Sequence, residues 1–328
     1  MMGQISSKLP VPRPADWGFK VSVCIAVRYS GVGHHDRLIL VTDNRAAFGD
    51  FSGEYLTIKS SALWHGWSVM FAGNQVEHAE PIIRAAKQNM MALSKKLPPG
   101  KWISPEEATG IVDVAYAEQL QAHIENKILR KHGFDSANFQ KIGKLKCTPE
   151  IYAKTWERID KEKLSLRFLV CGHEGKGNAH IWLVDGENAP TSYNSIGFWA
   201  IGTGAPAAIS HLAVYLTKYK EFSSLEEALY VTVTAKFSAE SASDVGRSTN
   251  VFIIKHQWEA DDAIHLPEPM LDLLRKTWND TGIPPVPKGV LRALKKVLPV
   301  AATVTTQMAE QFSRRLLNNH CNSTRELW

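Results

Sequence analysis

The sequence predicts an α+β protein in which helices pack against two antiparallel sheets. Two observations predict it. Apolar residues alternate with period two in two separated regions, residues 21–87 and 166–258, and follow helical spacing between and after them. The order reads strands, helices, strands, two helices, strand, which is not the regular alternation of a βαβ repeat. The chain has 328 residues with 44% hydrophobic content, enough for one large core. No internal repeat of fixed period is present.

The elements follow in order. Residues 1–20 carry Pro10, Pro12 and Pro14 and read as an extension or propeptide. Val21, Val23, Ile25 and Val27 make the apolar face of a first strand; Ser22, Cys24, Ala26 and Arg28 make its smaller, more polar face. A turn at Gly31–Asp36 leads to a strand from Arg37 to Thr42, then to a loop carrying Asp43. Ser68–Phe71 is a further strand. Glu77–Lys95 is helical, with Ile82, Ile83, Ala86, Met90 and Leu93 on one face.

Residues 96–165 read as an insert. Leu97-Pro98-Pro99-Gly100 breaks the chain, and Ser104-Pro105-Glu106-Glu107 then supplies an N-cap, a proline at the first helical position and an acid pair. That helix should run to about Lys131. Gly133–Lys146 reads as a basic surface excursion, and Pro149–Lys163 as a helix. Strands return at Leu166–Gly172, Ala179–Asp185 and Gly197–Gly204. Helices follow at Pro206–Lys220 and Ser224–Ser238, and a strand at Asn250–Lys255 closes the 21–258 domain. Residues 259–328 read as a Pro-rich linker and a helical tail, with helices over 289–298 and 305–318.

Charge and cysteines narrow the class. A net charge of +5 is mild, and no aromatic–basic motif accompanies it, so nucleic acid is not the expected partner. Cys24, Cys147, Cys171 and Cys321 are few and scattered, without CxxC or Cys/His spacing; neither a disulfide framework nor a metal site is expected. No cofactor is expected. No apolar run approaches a membrane span, and a cytoplasmic location is expected.

The chemistry concentrates in Ile39–Ala47, Lys59 and Met70–Asn74. An apolar strand delivers Asp43 and Arg45; Lys59 follows, and a strand ends at Gly73. A carboxylate beside a buried lysine orients it and sets its charge, and a turn glycine exposes backbone N–H groups. These parts suit an activated nucleophile and an oxyanion. The alternative is a purely structural ion network of Asp43, Arg45 and Lys59.

The chain resembles the proteasome β-type branch of the N-terminal-nucleophile hydrolases over roughly Val21–Lys95 and Leu166–Lys255. The resemblance rests on Leu40-Val41-Thr42-Asp43-Asn44-Arg45-Ala46, Ile58-Lys59, Phe71-Ala72-Gly73, Ala200-Ile201-Gly202-Thr203-Gly204-Ala205-Pro206, Leu225-Glu226-Glu227-Ala228 and Glu240-Ser241-Ala242-Ser243. It implies a four-layer αββα sandwich with a helical insert and a C-terminal helical extension. It implies an amide-bond hydrolase whose nucleophile becomes the first residue of the mature chain. Ser22 fits that role by register, with Cys24 second; Lys59 and Asp43 would activate it, Gly73 N–H would bind the oxyanion, and Arg45, Glu240 and Ser243 would complete the site. Gln75 would border the specificity pocket. It implies a peptide or protein substrate, a homo-oligomer and a partner ATPase. This sequence departs from the family at the nucleophile, where Val21 precedes Ser22 instead of glycine, and at Ala205, where active members commonly carry a hydroxyl. A non-catalytic proteasome-like scaffold is the alternative.

Overall fold

The computed structural model of the chain describes residues 22–31, 35–48, 51–54, 59–64, 66–175, 177–242, 244–255 and 263–282. The expected extension over 1–20, Ser243 and the two helices expected in the tail lie outside these residues. Packing divides the chain into a unit ending at Trp278 and a second unit, Asn279–Trp328. The first unit carries everything that follows.

Two five-stranded antiparallel sheets form the centre. The strands of the first half are β1 (Cys24–Tyr29), β2 (Arg37–Asp43), β3 (Arg45–Phe48), β4 (Phe51–Glu54), β5 (Ser60–Trp64) and β6 (Trp67–Gly73). Those of the second half are β7 (Leu166–His173), β8 (Ala179–Val184), β9 (Thr191–Ser192), β10 (Phe198–Ile201), β11 (Thr249–Ile254) and β12 (Ile264–His265). The first sheet runs β10-β1-β2-β11-β12 and the second β5-β6-β7-β8-β9; β3 and β4 make a separate hairpin. That hairpin occupies the stretch expected to be loop.

The helices are α1 (Ala79–Ser94), α2 (Pro105–Ile124), α3 (Ser136–Lys146), α4 (Pro149–Lys161), α5 (Ala205–Tyr219), α6 (Leu225–Ala239) and α7 (Glu268–Thr277). Three buried clusters order the layers. Cys24, Ala26, Leu38 and Leu40 of the first sheet pack with Met70, Leu169, Cys171 and Ile181 of the second, so the sheets face each other. Val23, just before β1, and Ile25 and Val27 of β1 pack instead with Ala208 and Leu212 of α5 and Val231 and Ala235 of α6. Val69, Phe168 and Val170 pack with Ile82 and Ala86 of α1 and Val112 and Tyr116 of α2. Each sheet is apolar on both faces because one face meets the other sheet and one meets helices.

Ser104 caps α2 with a full capping box: its side chain accepts from Glu107 N–H, and the Glu107 carboxylate accepts from Ser104 N–H at 2.8 Å. Such a cap is worth about 1 kcal/mol. Two expectations change here. The α-helix ends at Ile124, and a π-turn over Glu125–Leu129 and a 3₁₀ turn over Arg130–His132 carry the chain on to Gly133. Within the insert, α2 covers the second sheet beside α1, and the segment after it forms a small cluster around Ile128, Leu129 and Phe139. The basic stretch after Gly133 is helix α3, held by Phe139 in that cluster.

The expected linker also differs. Pro267 and Pro269 open α7 instead of breaking the chain, since proline is tolerated in a first helical turn. Leu271, Leu274 and Trp278 pack into the cluster beneath α6, so the first unit continues beyond the expected boundary at 258.

Candidate active site

Asp43 is the last residue of β2, which runs between β1 and β11. Leu38, Ile39, Leu40 and Val41 of the same strand are apolar and buried, and Thr42 beside it is buried too, so the strand carries the carboxylate to full burial. A bare carboxylate there would cost several kcal/mol. Three donors meet it. Lys59 Nζ donates to Oδ1 at 2.7 Å, Val23 N–H donates to Oδ1 at 3.1 Å, and Gly246 N–H donates to Oδ2 at 2.9 Å. Lys59 is itself 2% exposed.

Ser22 directly precedes the residue whose amide binds Asp43. It is buried, and its Oγ has no hydrogen-bond partner among the described residues. Its carbonyl accepts from Gly204 N–H at 3.2 Å. Gly202 backs onto the same carbonyl with φ +95°, and a Cβ there would sit 2.3 Å from it. The glycine turn between β10 and α5 therefore packs on the start of the first strand, where no larger residue would fit.

Cys24, the second candidate nucleophile, is spoken for. Its Sγ donates to Phe71 O at 3.2 Å. Burial pushes the thiol up to about 12; Lys59 opposes that rise and Asp43 adds to it. It stays protonated at neutral pH and lies in the core between the sheets.

Gly73 ends β6 with φ +157°, and a Cβ on it would lie 2.0 Å from Ser165 O. Ladder alternation sets the direction of its N–H. Asn74 N–H donates to Ser165 O of the strand beside it, so the rung at Asn74 faces β7. Phe71 N–H donates to Lys59 O, so the odd-numbered rungs face β5. Gly73 N–H thus points to the side on which Lys59 leads into β5. Gln75 does not border the cleft: its Oε1 accepts from Ser165 N–H at 2.9 Å and ties the turn back.

A cleft of about 720 Å³ opens beside Gly73 and Gly202. Ala72, Gly73, Arg167, Trp199, Gly202 and Thr203 are among its walls, and Thr203 Oγ1 is buried without a partner among the described residues. Trp199, stacked on Tyr193 with ring centroids 3.8 Å apart, gives the wall an aromatic face. Gly202, which lines the cleft, packs against the Ser22 backbone.

Arg45 begins β3, opposite Glu54 in the hairpin. Glu240 does not stand as a free acid beside the nucleophile: its carboxylate pairs with Lys236 Nζ at 2.5 Å and with Arg275 Nη1 at 2.6 Å. It does so because it caps the end of α6, one turn after Lys236 and facing α7. Ser243 lies outside the described residues.

Sequence reasoning missed Lys236 and Arg275. Lys236 is fully buried on α6, and burial lowers its pKa to about 8, with Glu240 opposing the fall. The missed signal is a lysine inside the otherwise uncharged run Ala228–Ala239, with a glutamate four residues on. Arg275 was hidden by the linker reading of its segment.

No family model matches the chain, and no curated protein matches it. Among the described residues no helix is long and apolar enough to cross a membrane.

Proposed function

We propose that this chain is a divergent N-terminal-nucleophile hydrolase, similar to the proteasome β-type branch, that cleaves amide bonds with Ser22. The observation that carries the reading is the buried Asp43–Lys59 pair, tied to the chain at Val23, one residue from an unpartnered serine hydroxyl. The layer order helix–sheet–sheet–helix is what the resemblance implies for an αββα sandwich.

The mechanism follows from the chain's own groups. Cleavage of the Val21–Ser22 bond gives Ser22 a free α-amine, whose reference pKa of about 7.7–8.0 suits proton acceptance at neutral pH. The amine takes the Oγ proton as Oγ attacks the substrate carbonyl. The Lys59 ammonium, oriented by Asp43, favours the developing alkoxide. Gly73 N–H donates to the oxyanion of the tetrahedral intermediate. The amine then protonates the leaving nitrogen, and water releases the acyl group from Ser22 Oγ. The cleft walled by Trp199 and Arg167 receives a peptide or protein substrate. Assembly into a homo-oligomer, service by an ATPase and a cytoplasmic location complete the reading.

One observation favours a second reading, a non-catalytic scaffold. Val21 precedes Ser22, where self-processing relatives carry glycine. Intact mass and fluorophosphonate labelling separate the two. A mature chain beginning at Ser22, labelled there and not in Ser22→Ala or Lys59→Ala, supports the hydrolase. An uncut, unlabelled chain supports the scaffold. Labelling that ignores both substitutions refutes the site.

A further inference from the structure

We propose that Lys236 is a positioning residue for Asp43, and that α7 stiffens this brace through Glu240 and Arg275. The consequence at Ser22 rests on the hydrolase reading; the brace itself does not.

Lys236 is the one fully buried charged side chain of α6. The buried threonines beside it satisfy themselves on their own helix: Thr232 donates to Ala228 O at 2.6 Å and Thr234 to Val231 O at 3.0 Å. Lys236 instead reaches out of the helix. Its Nζ donates to Glu240 Oε1 at 2.5 Å, to Gly246 O at 2.7 Å and to Arg247 O at 2.9 Å. Those three bonds use its full donor capacity. Burying an ammonium costs several kcal/mol that a methionine would not, so its value lies in what it holds.

What it holds is the peptide that meets Asp43. The Gly246 carbonyl is fixed by Lys236, and the Gly246 N–H donates to Asp43 Oδ2. Oδ1 already serves Lys59 and Val23. Gly246 therefore holds the second oxygen and, among the described residues, completes with Lys59 and Val23 the restraint on rotation about the Cβ–Cγ bond. Rotation would break the register of Oδ1 with the Lys59 ammonium and with the chain next to Ser22.

Arg275 closes the brace from outside. Its Nη1 donates to Glu240 Oε2 at 2.6 Å, and its Nη2 donates to Glu240 Oε1 at 2.9 Å and to Arg247 O at 2.6 Å. Its guanidinium also lies over the Phe237 ring, 4.2 Å from the centroid. The charged groups acting on Lys236 are thus Glu240 on its own helix, Arg275 on α7 and Asp43 on β2.

Nuclear magnetic resonance of the full chain tests this. Wild type, Lys236→Met, Arg275→Ala and Arg275→Lys are compared by the exchange rate and proton shift of the Gly246 amide. The maximal rate of fluorophosphonate labelling at Ser22 is read alongside. Lys236→Met should speed Gly246 exchange about 30-fold and move its amide proton upfield, as a lost carboxylate bond requires. Arg275→Ala should do the same more weakly, and Arg275→Lys should restore most of the protection. The amides of Leu169 and Cys171 in the second sheet should keep their rates. The maximal labelling rate should fall while the half-saturating reagent concentration stays unchanged. Gly246 exchange and shift within twofold of wild type in both Lys236→Met and Arg275→Ala overturn the proposal. Should Lys236→Met not fold, the two Arg275 variants decide it. Gly246 responses in a wild type that never labels at Ser22 sustain the brace and defeat the hydrolase reading instead.

Discussion

Asp43 Oδ1 and Lys59 Nζ stand 2.7 Å apart with both side chains almost wholly excluded from solvent. Breaking such a pair from one side leaves an uncompensated buried charge, which costs about 3–5 kcal/mol. Lys59→Met is expected to lose that much, and Asp43→Leu a similar amount. The double variant should recover a large part of the sum, because the second change removes the stranded ion. Urea unfolding of the four proteins gives the coupling energy directly. Additive losses would mean that the two ions are not each other's partner.

Gly73 tests the backbone of the proposed oxyanion site. Alanine there drives a Cβ into Ser165 O at 2.0 Å, and backbone cannot yield as a side chain tip can. Gly73→Ala should cost about 3 kcal/mol or more. Gly133→Ala is the control: its φ of +74° lies in the left-handed region, but nothing lies within 4 Å of the added methyl. That change should cost only about 1 kcal/mol. Thermal melts of the two variants should separate clearly, and equal melting points would contradict the close approach at Gly73.

The pH dependence of stability should carry the mark of Lys236. Its pKa is about 8 in the folded chain against an ordinary 10.5. Between these values the unfolded chain holds a proton that the native chain has released. Stability therefore rises with pH across this window. The contribution is fully present above the ordinary value and lost as pH falls through about 8. Wild type should gain on Lys236→Met by on the order of 2–3 kcal/mol between pH 7.5 and pH 10.5. Unfolding curves for the pair at the two pH values measure it, and a gap that stays constant or narrows would refute it.

Much of the fold was legible because its signals are local. Val23, Ile25 and Val27 alternate with Cys24 and Ala26, and that period alone separates the helix-facing side of β1 from the side facing the other sheet. Ser104 through Glu107 announce their own cap. The apolar strand ending at Asp43 and the glycine at the end of β6 were equally visible. The hairpin of β3 and β4 was not, because its residues alternate weakly. Helix α7 was not, because Pro267 and Pro269 signal a break and a first helical turn alike, and only the apolar cluster that receives Leu271 decides between them.

By itself the sequence determined the strand and helix periods, the burial of the Asp43 strand and the presence of a lysine and a glycine in order behind it. These follow from the side-chain pattern of one segment at a time. Only the tertiary structure decided that Lys59 meets Asp43, that Cys24 spends its thiol on Phe71, that Glu240 serves Lys236 and Arg275, and that Gly246 completes the carboxylate's shell. Partner choice among buried charges depends on which strand ends and helix turns converge after the sheets stack. Local periodicity carries no information about that convergence.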